Sequence, residues 1–173
     1  MRIPKLRTLG LALAAVLVAH RHAAAQSMPS HDRMTPAAGH AMPAKVLVNV
    51  DAHGVGLQGY DPVAFFTDSA AVRGDSTHTA SYGGATYWFK NEAHRALFAA
   101  DPEKYAPQFG GFCAYGAANG HAAPVEIDTW QVRAGKLLLN YDRSVRAKFD
   151  RDVAGYLSKA YELWPGIVAK EGK

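Results

Sequence analysis

The 173-residue chain contains a single cysteine, Cys113. That excludes an intramolecular disulfide framework and any zinc site built from two or more thiolates of the same chain. Long hydrophobic runs are missing as well: the longest, Leu9 to Ala19, falls short of the roughly 20 apolar residues of a transmembrane helix. There is no Gly-x-Ser-x-Gly, no His-Glu-x-x-His and no phosphate loop closed by Lys-Ser/Thr, so the commonest hydrolase and nucleotide-binding signatures are absent.

What is present begins with a leader. Arg2, Lys5 and Arg7 precede the apolar run, and Ala23-Ala24-Ala25 follows it. This order predicts a secretory signal peptide over residues 1–25, cut before Gln26, and a periplasmic or secreted mature chain with no stable membrane anchor. With no cysteine at the cleavage point, a lipoprotein anchor is not expected either. Four of the 19 Lys and Arg residues (Arg2, Lys5, Arg7, Arg21) and no acidic residue lie in the leader, which leaves 15 basic against 15 acidic side chains. A formally neutral mature chain argues against nucleic acid as a partner.

Residues 26–45 are rich in Ala, Pro, Gly, Ser, Met and His without apolar periodicity and read as a flexible linker. Met28, His31, Met34, His40 and Met42 all lie here, including every methionine except the initiator. Thioether and imidazole together suit soft or borderline ions, copper above all. No spacing among them defines a closed site, and Met and His are equally tolerated in a tail without a metal.

The predicted domain spans residues 46–166, followed by a tail over 167–173. Val46 to Val50 is a β-branched run that predicts a strand. Asp61-Pro62 predicts the cap and first position of a short helix burying Val63 and Phe66. Thr77–Tyr82 and Ala85–Phe89, joined by Gly83-Gly84, predict a hairpin. Asn91 predicts the cap of a helix with Ala93 or His94, Leu97 and Phe98 inward. A second hairpin is predicted over Thr129–Arg133 and Lys136–Leu139. A long helix is predicted from about Asp142 to Leu163, kinked near Gly155 and closed by Trp164-Pro165, with Val145, Phe149, Val153, Tyr156, Leu157 and Ala160 as its apolar stripe. Strands and helices segregate, so the expected class is α+β: two β-hairpins packed on short helices and a long C-terminal helix.

Five segments carry a family resemblance. They are Tyr60-Asp61-Pro62-Val63-Ala64-Phe65-Phe66, Tyr82 to Phe89, the block from Asp101 to Tyr115 that contains Pro107-Gln108-Phe109-Gly110-Gly111-Phe112-Cys113, Gly135 to Tyr141, and Trp164-Pro165. Over residues 45–166 the chain resembles the exported branch of the YHS domain family, related to the TRASH-type metal-binding modules. The resemblance implies a small α+β metal-binding or metal-trafficking domain and no established catalytic activity. Those modules carry two cysteines after the aromatic strand, where this chain has Lys90 and His94.

Candidate ligands in the domain are therefore Cys113, His94 and His121. A thiolate with two imidazoles would suit copper, whereas a structural zinc site wants a fourth protein ligand. Each residue also has a plainer reading: His94 as a half-buried histidine beside Leu97 and Phe98, His121 as an exposed loop residue, Cys113 as a buried small hydrophobe between Phe112 and Tyr115. Cys113 could instead be a reactive thiol, activated by the amides of a helical turn over Ala114–Ala118. The expected function is a non-catalytic copper-binding module, with zinc as the alternative ion, whose partners are the ion and another exported metal-handling protein. The competing classes are a thiol-redox protein acting through Cys113 and a structural or partner-binding module without metal.

Overall fold

A computed structural model describes residues 45–173. The predicted leader, most of the predicted linker and its candidate ligands Met28, His31, Met34, His40 and Met42 lie outside the described residues.

The class is α+β, as expected. Helix α1 (Ala64–Thr67) is followed by the antiparallel hairpin β1 (Asp75–Tyr82) and β2 (Ala85–Phe89). Three short helices come next: α2 (Glu92–Ala100), α3 (Pro102–Tyr105) and α4 (Ala114–Ala118). A second antiparallel hairpin, β3 (Glu126–Arg133) and β4 (Lys136–Asn140), leads into α5 (Arg143–Phe149) and α6 (Val153–Glu171). Both hairpins turn through two residues of positive φ, Gly83-Gly84 and Ala134-Gly135, the geometry that matches the right-handed twist of paired strands.

Strand β4 separates two hydrophobic clusters, and its alternation decides which residue feeds which. Leu137 and Leu139 join Phe65, Tyr87, Phe89 and Phe98 under the first hairpin and α1–α3. Leu138 points the other way, into Phe149, Ala160, Ile167 and the alanines of α4. Ala114, Ala117 and Ala160 are completely buried, and their small side chains let α4 lie close against α6.

Several expectations are corrected. Val46–Val50 is not a strand: Val46 pairs with Lys173, Asn49 N–H donates to the Gly110 carbonyl, and only Val50 bridges, to Gly56. Consecutive hydrogen bonds go to three different segments, so no ladder forms. In α1 it is Phe65 that enters the core, against Trp130, while Phe66 packs half-buried on the edge of Tyr105. In α2 the Asn91 cap sets a phase in which His94 and Phe98 face inward, leaving Leu97 43% exposed.

The long C-terminal helix is present as α6, but the range expected for it also takes in the separate helix α5. The break falls at residues 150–152 rather than at Gly155, because Asp152 turns its carboxylate onto the Gly155 N–H and caps a new helix. Trp164-Pro165 does not close that helix, which runs through Pro165 to Glu171. Burial of Ile167 in the second cluster and the contact of Trp164 with Phe109 hold the turn that proline weakens. Residues 167–173 are accordingly part of the fold, and Lys173 exchanges both backbone hydrogen bonds with Val46.

Candidate functional site

Cys113 is placed by the turn before it. Phe109, Gly110 and Gly111 have positive φ, and the Phe112 N–H closes the turn on the Phe109 carbonyl. Cys113 then bridges Leu139 of β4, donates its own N–H to Ala123 O, and caps α4 with its sulfur, which accepts the Gly116 N–H at 3.3 Å. The thiol is 1% exposed. Its S–H faces Asn140 Oδ1 at 3.8 Å, and that oxygen also accepts the Tyr115 N–H at 3.3 Å.

Two influences on this sulfur oppose each other. Burial pushes the thiol above its ordinary value, while the backbone N–H groups of Gly116, Tyr141 and Tyr115 pull it back down. Burial is the larger, and the Asp142 carboxylate adds to it. The result is a protonated thiol whose surroundings already hold the donors a thiolate would need. The amides of the α4 turn thus act as expected from the sequence, without overcoming desolvation.

His121 shares a cavity with Cys113. Both line a space of about 310 Å³, together with Tyr115, Gly116, Tyr141 and Val145. The imidazole is exposed, and its Nδ1 lies 3.4 Å from the Asn119 carbonyl. A carbonyl only accepts, so Nδ1 is the donor in this contact, and in a neutral imidazole that leaves the lone pair on Nε2. Nε2 lies 3.4 Å from where a Cβ on Gly116 would stand. The glycine keeps open the space beside the imidazole, on the residue whose N–H meets the sulfur.

His94 lies elsewhere. It is buried at the start of α2, where Nδ1 donates to Asp61 Oδ2 at 2.7 Å. Asp61 is completely buried; it also accepts from Val63 and Ala64 N–H through Oδ1 and from Lys90 N–H through Oδ2. The His94 Nε2 faces Thr67 Oγ1 at 3.4 Å and Asp68 Oδ1 at 4.0 Å. Asp68 is in turn paired with Lys90, whose ammonium holds its carboxyl below the usual range.

The structure thus brings Cys113 and His121 to one cavity and leaves His94 with a carboxylate partner. No three His, Cys, Asp or Glu side chains form a metal-holding group among the described residues, so the expected set of Cys113 with both histidines is not assembled there. Asp128 binds Arg143. Two residues escaped sequence reasoning, Asn140 and Gly116. A glycine inside an expected helical turn was the one available signal for the second. No helix among the described residues is long and apolar enough to cross a membrane.

No family model, curated protein or solved structure matches the chain.

Proposed function

We propose that the protein is an exported, non-catalytic module that binds a soft metal ion as cargo, with copper favoured, through Cys113 and His121. The observation that supports this most directly is that Cys113 and His121 line the same cavity. Three backbone N–H groups around the sulfur favour the thiolate that metal binding requires. A thiolate and one imidazole suit Cu(I) and fall short of the three or four protein ligands usual for zinc. The resemblance to YHS and TRASH-type modules points the same way.

In this reading Met28, His31, Met34, His40 and Met42 capture the ion or complete its coordination, and an exported metal-handling protein receives it. Periplasmic or secreted placement follows from the leader. His94 is reassigned from ligand to structural partner of Asp61.

A second reading has its own support. The same N–H donors would stabilise the thiolate of a redox protein acting through Cys113 without any metal.

Metal content and competition with a Cu(I) chelator separate these readings, measured on the chain from Gln26 and on one from Lys45. One tightly bound Cu(I) is expected, abolished in Cys113→Ser, weakened in His121→Ala and unchanged in His94→Ala. Absence of stoichiometric copper or zinc in the full mature chain would end the metal reading. Sulfenic acid formation at Cys113 in metal-free protein would then favour the redox one.

A further inference from the structure

A second cavity, of about 300 Å³, opens where α3, the turn at 106–109, the start of β4 and α6 meet. It has no lining residue in common with the Cys113 cavity. Four aromatic rings line it: Tyr82, Phe109, Tyr161 and Trp164. Phe109 is buried, with ring centroids 5.1 Å from Tyr161 and 5.7 Å from Trp164. Its backbone sits at φ 54°, a left-handed conformation that a bulky side chain rarely adopts. The Asn49 N–H on the Gly110 carbonyl and the Phe112 N–H on the Phe109 carbonyl hold it there. At one end Tyr161 O–H donates to Gln108 Oε1 at 2.7 Å, fixing both side chains.

Two charges also line this cleft, Glu103 from α3 and Lys136 from β4. Among the described residues neither has an oppositely charged partner within 4 Å. Aromatic faces carry negative potential and attract cations, all the more beside a carboxylate. A simple cation would still meet Lys136, a simple anion would meet Glu103, and a neutral apolar ligand would leave both charges uncompensated. A ligand carrying both signs satisfies every group at once.

We propose that this cleft binds a small zwitterion, its methylated ammonium against the aromatic rings and Glu103 and its anionic group at Lys136. The volume is at the low end for small-molecule sites, which suits a headgroup-sized ligand. This assignment is independent of the metal reading.

Titration of the full mature chain with phosphocholine, followed by tryptophan fluorescence and by amide shifts of the residues around the cleft, tests it. Tetramethylammonium and inorganic phosphate serve as half-ligands. Saturable binding is expected on the millimolar scale or tighter. Glu103→Gln should weaken phosphocholine and tetramethylammonium alike, by about fivefold or more. Lys136→Gln should weaken phosphocholine and spare tetramethylammonium. Tyr161→Ala, at an exposed position, should lose both while keeping the native circular dichroism. Sedimentation with phosphatidylcholine vesicles tells a lipid headgroup from a free zwitterion, and either result upholds the chemistry. Phosphocholine causing no saturable change through about 10 mM, or binding indifferent to both charge substitutions, would overturn it.

Discussion

Cys113 shows how one residue can be legible as chemistry and illegible as environment. The sequence identified it because nothing else in the chain could serve as a thiol. Its burial beneath Tyr115 and against β4 depends on a bridge to Leu139 that local sequence does not encode. Because burial raises the thiol above its ordinary value, the folded state resists forming thiolate. The resulting stability is intact below about pH 9 and is lost as pH climbs into the alkaline range. Alkylation of metal-free native protein by iodoacetamide should therefore rise with a midpoint above pH 9, and a midpoint near 7 would contradict this account. Cys113→Ala should flatten part of the alkaline stability loss; Tyr87, Tyr156 and Tyr161, also raised by burial, keep a share of it. Asp61 carries a different prediction. Its carboxylate serves four donors from three segments, so Asp61→Ala should cost about 3–5 kcal/mol in urea unfolding, the scale of leaving several buried donors without an acceptor. Asp61→Asn keeps an acceptor oxygen and should cost less. Equal losses in the two variants would show that the retained acceptor oxygen contributes nothing without the charge. The sequence marked Asp61 as the cap of a helix starting at Pro62; α1 starts instead at Ala64, and the Asp61 carboxylate accepts from the Val63 and Ala64 N–H groups in the turn that leads into it. Its pairing with His94 spans 33 positions and was invisible locally.

At the scale of elements, what could be read ahead was whatever short-range chemistry controls: both hairpins and the Asn91 cap. What could not be read were ends decided by tertiary contacts, above all α6 running through Pro165. Two glycines separate these influences. Gly54 and Gly110 both have positive φ, at 78° and 57°. A Cβ at Gly54 meets nothing within 4 Å, whereas one at Gly110 would collide with the Leu47 carbonyl oxygen. Gly54→Ala should cost about 1–2 kcal/mol, the backbone penalty alone. Gly110→Ala should cost clearly more, because it also drives away the segment hydrogen-bonded through Asn49. Similar losses in the two would mean that the 46–50 segment yields without resistance. The break before α6 offers a parallel check: Asp152→Ala removes the cap on Gly155 and should cost about 1 kcal/mol.

Over the whole folded unit, the sequence indicated one domain but not its two cores, since periodicity says that a face is apolar without saying which neighbour covers it. Strand β4 makes the two interdependent. Leu137 and Leu139 are buried in one cluster and Leu138 in the other, on adjacent residues of a five-residue strand. A strand cannot keep one face ordered while losing the other, because each peptide of the ladder fixes the side chains on both. Leu137→Ala and Leu138→Ala should therefore each lower stability by about 2–5 kcal/mol. In both variants the whole unit should still unfold in a single transition. The clusters have separate reporters: Trp130 packs on the first and Trp164 on the second. Single-tryptophan variants keeping one or the other should give coincident urea curves, matched by far-ultraviolet circular dichroism. Leu138→Ala moving the Trp164 curve while leaving the Trp130 curve in place would mean that β4 does not couple the cores. The Cys113 cavity could then open by local unfolding of α4–α6 alone. Coincident curves tie exposure of the thiol to unfolding of the entire unit.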